Sequence, residues 1–206
     1  MSEPLKTGAQ GPAPHHPAPR RPALAVWLPL VLFTAFLALV IYGLVRPGDR
    51  EVASTFIGKP LPAFDLPPGS DERPGLDSAH FASGHPRLLN VFASWCVPCI
   101  AESPQLAQLA AAGVEIDGVA IRDRKDDLAR FLLANGNPYA RIGKDDLSKV
   151  QMGIGSSGVP ETFVVDAHGV IRYQHIGAIM PDDVAMILGK LKEAGLKNAG
   201  LKEAEK

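Results

Sequence analysis

Apolar residues are distributed along the chain in blocks of clearly different rhythm. From Met1 to Pro22 the sequence is rich in Pro, Ala, Gly and His with no apolar period. Such a segment cannot bury enough surface to fold, so residues 1–22 are expected to be a disordered tail. Ala23 to Val45 is then apolar for 23 residues without a charge, and as a helix it would reach about 34 Å, enough to cross a bilayer core. Residues 46–56 are polar and read as a linker. Gly58 to Gly84 carries several prolines and glycines around Phe64, Leu66 and Phe81, which predicts loops with one or two short edge strands.

Alternating strand and helix patterns follow. Leu88 to Ala93 has the continuous apolar character of a buried parallel strand, and an apolar stripe through Leu106, Leu109 and Ala110 predicts a helix after it. Val114 to Ile121 reads as the next strand, and Asp123 to Asn135 as an amphipathic helix with Leu128, Phe131 and Leu132 inward, ended by Gly136. Asp145 to Gln151 predicts a short helix capped by Asp145. Thr162 to Val165 and Val170 to His175, joined through Asp166 to Gly169, form a hairpin signal. Pro181 to Ala194 closes the domain as a helix with Val184, Ile187, Leu188 and Leu191 facing the sheet. The charged remainder, 195–206, is expected to fray. The pattern thus predicts one α/β domain over 57–194, long enough for a single core.

Charge gives the apolar block a direction. The residues before it carry a net charge of +2 and those after it −3, so the positive-inside tendency places the N-terminus in the cytoplasm and the domain outside. Arg46 and Arg50 on the far side reduce that asymmetry. The apolar run exceeds the length of a secretory signal core, and no small-x-small pair follows it, which favours an uncleaved single-pass anchor. Trp27 and Tyr42 sit near its ends, where amphipathic rings prefer the interface. The overall charge of −1 gives no sign of nucleic-acid binding.

Chemistry concentrates at Leu88 to Pro104, LLNVFASWCVPCIAESP, which holds the chain's two cysteines, Cys96 and Cys99. A strand that delivers Cys-x-x-Cys to the first turn of a helix exposes one sulfur to unpaired N–H groups and the positive end of the helix dipole, which stabilise a thiolate. Cys96 is then the nucleophile, and Cys99, one turn further in, can resolve a mixed disulfide. Other readings are weaker. A zinc site would have to recruit His80 and His85, whose spacing and order fit no finger pattern; both are expected on the surface, as are His168 and His175. A static bridge would close too short a loop to stabilise much. A Cu(I) carrier could use two thiolates, but Met1, Met152, Met180 and Met186 do not cluster by them in sequence.

These residues resemble a known family. Trp95-Cys96-Val97-Pro98-Cys99 after an apolar strand, Pro104 inside the next helix, and Gly158-Val159-Pro160 before another strand look like thioredoxin. GVPETFVVD followed by GVIRY, with Gly58-Lys59-Pro60 upstream and the apolar anchor, resembles more narrowly the membrane-tethered thiol:disulfide interchange proteins of cytochrome c maturation, the CcmG/DsbE type. The resemblance implies a thioredoxin-like fold with a central mixed sheet flanked by helices, and a thiol:disulfide oxidoreductase that needs no cofactor. It implies a cis Val159–Pro160 bond, with the Val159 backbone free to pair with an extended client segment. It implies that Trp95 and Pro98 shape the redox site. Asn90 departs from thioredoxin, which carries a buried aspartate there; an amide cannot exchange a proton, so Glu102 or Glu161 is expected to tune the thiols. The implied client is the haem-binding Cys-x-x-Cys of apocytochrome c or a maturation partner, and the implied electron source is a membrane thiol donor. A tethered reductant for another client, such as a copper-site assembly protein, is the alternative.

Overall fold

The computed structural model describes residues 24–45 and 55–204, with side chains over 27–43 and 55–196. The expected tail at 1–22 and most of the linker lie outside the described residues. The chain divides into two units, Met1–Arg50 and Glu51–Lys206. In the first, Leu24–Val45 forms helix α1, with Pro29 in its early turns. α1 carries no charged residue along its 22 positions.

The second unit holds a five-stranded mixed sheet and a two-stranded one. β1 (Asp65–Leu66) and β2 (Leu76–Asp77) pair antiparallel, followed by a 3₁₀ turn at Ser78–Ala82 whose Phe81 is fully buried. These are the short strands expected between Gly58 and Gly84. The main sheet runs β3 (Arg87–Phe92), β4 (Ile116–Ile121), β5 (Arg141–Asp145), β6 (Glu161–Val165) and β7 (Ile171–Ile176), in the spatial order β5-β4-β3-β6-β7. β4 and β5 run parallel to β3, while β6 is antiparallel to both β3 and β7. All six residues of β3 and of β4 are buried, as expected for central strands covered on both faces.

Helices α2 (Val97–Ala111), α3 (Lys125–Asn135), α4 (Lys149–Gly153) and α5 (Asp183–Ala204) complete the unit. α5 packs on β6 and β7, and α2 touches both α3 and α5. The core joins Leu88, Leu89, Val91 and Phe92 of β3 to Leu106 and Leu109 of α2, Leu128 of α3 and Ile187 of α5. Gly118 of β4 is required by close packing. A Cβ there would lie 2.8 Å from the Phe92 ring and 3.0 Å from Tyr139, two rings that stack with centroids 4.5 Å apart.

Several expectations change. The strand β5 has no counterpart in the apolar pattern, because Arg141, Gly143 and Lys144 interrupt it; it forms through pairing with β4. Its outer edge is covered, as Ile142 N–H donates to the Pro74 carbonyl and Lys144 N–H to that of Pro67, which blocks further strand addition. Helix α3 opens at Lys125 rather than Asp123, and α4 at Lys149 rather than Asp145. Asp145 still caps α4, accepting the N–H groups of Lys149, Val150 and Gln151 at 2.9, 2.9 and 3.0 Å. α5 continues to Ala204 where fraying was expected, with Ala194 fully buried.

His80 is not a surface residue. Its side chain is 17 % exposed and lies at the N-terminal end of β3 against Arg87, itself 1 % exposed. His175 is also mostly covered, at 13 %. His85 and His168 are exposed as expected.

Candidate functional site

The redox pair sits where β3 gives way to α2. Ser94 and Trp95 form the turn between them, and Asp123, which follows β4, fixes that turn by accepting Ser94 N–H at 2.6 Å and the Ser94 hydroxyl at 2.5 Å. No local pattern in the sequence points to this long-range tie. Cys96 is the N-cap of α2 in extended conformation, and Pro98 falls in the first turn, where the missing N–H has no helical partner to lose. The Cys96 sulfur accepts the Cys99 N–H at 3.2 Å. A hydrogen bond of this kind stabilises a thiolate once the disulfide is opened.

The two sulfurs are joined as a disulfide. Cys96 keeps 3 % of its surface accessible and Cys99 1 %, so an incoming thiolate meets Cys96 first. Around this small opening stand Trp95, Val97 and Ile100, which are 57 %, 74 % and 43 % exposed. Such an apolar collar suits an extended polypeptide better than a small polar solute.

Asn90 and Glu102 form a buried polar network on the α2 side of the sheet. Both are 0 % exposed. The Asn90 amide nitrogen donates to Glu102 Oε1 at 3.0 Å and to the Thr162 hydroxyl at 2.9 Å, and its Oδ1 accepts the Tyr139 hydroxyl at 2.8 Å. Ile179 N–H donates to Glu102 Oε2 at 3.0 Å. Burial pushes the Glu102 carboxyl up to about 7, against the pull of the Ile179 and Asn90 hydrogen bonds. Glu102 lies three residues after Cys99 on α2, hence on the same helical face. A carboxyl that titrates near neutrality one turn from Cys99 can give or take the proton that thiol exchange requires. Tyr139 was not visible as a site residue in the sequence, and nothing in its local pattern distinguishes it.

Glu161 has different surroundings. Thr162 lies opposite Asn90 in the β3–β6 register, so alternation along β6 puts Glu161 on the other face of the sheet. Fully buried, it accepts Ser157 N–H, the Ser157 hydroxyl and Gln174 Nε2 at 2.8, 3.1 and 2.7 Å. It therefore ties down the loop before Pro160. The Val159–Pro160 bond is cis, the isomer the resemblance implied. A groove of about 320 Å3 runs from Trp95 to Gly158 and Val159, so the two halves of the motif face one opening; Met152 of α4 lines it as well.

His80, Glu115 and Asp117 bring potential ligand atoms within 4.8 Å of one another. One nitrogen of the Arg87 guanidinium bonds to all three, at 2.8 Å to Glu115 and 3.1 Å to Asp117. A fixed cation in their midst makes this an ion-pair cluster rather than a metal seat. It lies at the start of β3, whereas the cysteines follow its end, so His80 and His85 are not partners of the sulfurs.

Comparison with known proteins agrees with this geometry. The AhpC/TSA family matches residues 57–174. The thiol:disulfide interchange protein DsbE of Yersinia pestis is 39% identical over 158 residues, covering 74% of this chain and 83% of the relative. HelX, a thiol:disulfide interchange protein of Rhodobacter capsulatus, is 36% identical over 157 residues, covering 76% and 89%. Among solved structures, a thiol:disulfide interchange protein of the thioredoxin family from Chlorobium tepidum has the same fold, with TM-score 0.53, 23% identity, and 70% of this chain and 98% of that one covered. The chain therefore belongs to the DsbE/HelX family of thioredoxin-like thiol:disulfide oxidoreductases, with Cys96 and Cys99 as its Cys-x-x-Cys pair.

Proposed function

We propose that this protein is an extracytoplasmic protein-disulfide reductase that delivers two electrons per turn to a client polypeptide. The observation that carries the reading is the Cys96 sulfur at the mouth of α2, receiving the Cys99 N–H inside an apolar collar. The Cys96 thiolate attacks one sulfur of a client disulfide, forming a mixed disulfide and expelling the other client sulfur as a thiolate. The Cys99 thiolate then attacks Cys96, closing the disulfide found in this structure and releasing the second client thiolate. The client gains two electrons and, on protonation, two protons. Glu102 handles the proton at Cys99, Trp95 and Pro98 shape the opening, Val159 offers backbone to the client, and Glu161 holds the Val159–Pro160 loop in position.

The client proposed is the haem-binding Cys-x-x-Cys of apocytochrome c or a maturation protein that carries it, with a membrane thiol donor restoring the dithiol. The support is the resemblance carried by GVPETFVVD and the apolar anchor. The uncharged stretch 23–45 supports a single-pass inner-membrane protein with the domain at 57–194 in the periplasm. Trapping in membranes with Cys99→Ser tests this: recovery of a c-type apocytochrome or its maturation partner as a mixed disulfide is expected. Recovery only of other clients, such as copper-site proteins, would overturn that assignment while leaving the reductase chemistry intact.

A further inference from the structure

Among the described residues, two that are not glycine have positive φ, Arg122 at 46° and Ser148 at 53°. Both line the groove between Trp95 and Val159. A left-handed backbone is unfavourable for a residue with a side chain, so the fold has to hold both in place. Asp145 does this, its carbonyl accepting the N–H groups of Arg122 and Ser148, each at 3.2 Å. Its carboxylate is occupied by the first turn of α4. No acidic residue lines the groove. Arg122 is exposed, and its guanidinium has no ion-pair partner among the described residues. On the same wall Ser148 is 1 % exposed, and its hydroxyl has no hydrogen-bond partner, a condition rare enough in buried groups to require an explanation.

We propose that this groove is a carboxylate subsite for the client chain, with Arg122 as a specificity-determining residue. When a client sulfur is seated on Cys96, an acidic side chain a few residues away lies on the Arg122 guanidinium fork, above the Ser148 hydroxyl. The guanidinium geometry matches a carboxylate through two parallel hydrogen bonds, and a carboxylate is the anion that an unmodified polypeptide carries. The subsite rests on the reading that clients are protein disulfides, and it adds which of them react fastest.

The test uses the reduced full-length protein and synthetic peptides with one disulfide, identical except for Glu or Gln scanned through the positions beside the attacked cysteine. At one position or more, kcat/KM for the Glu peptide is expected to exceed that for the Gln peptide by about tenfold, the size of one charged hydrogen bond. In Arg122→Gln the ratio should fall to about one. Equal rates at every position, or a preference for Glu that survives Arg122→Gln, would overturn the subsite and leave the reductase reading standing. Failure to reduce either peptide would overturn both. Salt provides a measurement that needs no variant: the preference should shrink between about 0.02 M and about 1 M salt, as an exposed charge pair is screened, and a ratio unmoved by salt would also overturn the proposal.

Discussion

Tyr139 donates its hydroxyl to Asn90 Oδ1 at 2.8 Å, and this bond decides which end of the amide meets Glu102. With Oδ1 occupied by Tyr139, the amide nitrogen is left to face the carboxylate. A ring fixed against Phe92 thereby sets the polarity presented to an acid on another element.

Tyr139→Phe keeps the ring and removes the donor. The expected loss of stability is about 1–3 kcal/mol, the penalty of leaving a buried acceptor unmatched, measured by urea denaturation. The freed amide can turn its oxygen toward Glu102 and accept from the protonated carboxyl, so the Glu102 midpoint should move upward. Carboxyl carbon NMR across the pH range reads that midpoint; no upward movement would show that the amide orientation does not depend on Tyr139.

Glu102 should make stability fall as the solution becomes more alkaline. It titrates at about 7 in the folded protein, mainly through burial, against 4.5 for an ordinary glutamate. Between these values the folded protein holds a proton that the unfolded chain has released, so stability is highest below about 4.5 and declines through about 7, by up to about 3 kcal/mol. Asp117, pushed up to about 6 by burial against the pull of Arg87, adds a similar decline at lower pH. Glu102→Gln should flatten the upper part of the stability curve and leave the lower part. Denaturation at a series of pH values distinguishes the two; an unchanged upper slope would remove Glu102 from the proton account.

The two cysteines should fail differently. Cys96→Ser is expected to reduce peptide-disulfide turnover to background, whereas Cys99→Ser still attacks but stalls as a mixed disulfide. Non-reducing electrophoresis followed by mass measurement of the adduct checks this. Normal turnover by either variant would refute the division of labour between the sulfurs.

At the far end of β3, Arg87→Ala should destabilise the domain by about 3–5 kcal/mol, because it leaves Asp117 buried without its cation. Thermal or urea unfolding measures the loss. In the fraction that remains folded, the rate of disulfide exchange should be unaffected, since the cluster and the cysteines lie at opposite ends of the strand. A slowed exchange step would reveal coupling along β3.

Features written in neighbouring residues were legible in the sequence. The apolar run of β3, the helix start at Cys96 and the hairpin of β6 and β7 each follow from spacing and turn chemistry over a few positions. What escaped notice depends on partners distant in the chain. β5 exists because β4 pairs with it, Asp123 because Ser94 lies 29 residues earlier, and Tyr139 because Gly118 makes room for its stack on Phe92. His80 appeared to be a surface residue because its covering partner, Arg87, has a side chain that is ordinarily exposed. Glu102 and Glu161 were indistinguishable as sequence letters, and only the β3–β6 register separates their faces.

The burial of Cys99 also has a kinetic consequence. With Cys99 walled in and Cys96 reached only through a small opening, a donor that recharges the proposed reductase would have to enter where the client leaves. On that reading the two cannot dock together, so a ping-pong cycle is expected: each partner in excess should inhibit the other, and turnover should depend on how quickly the threshold is vacated.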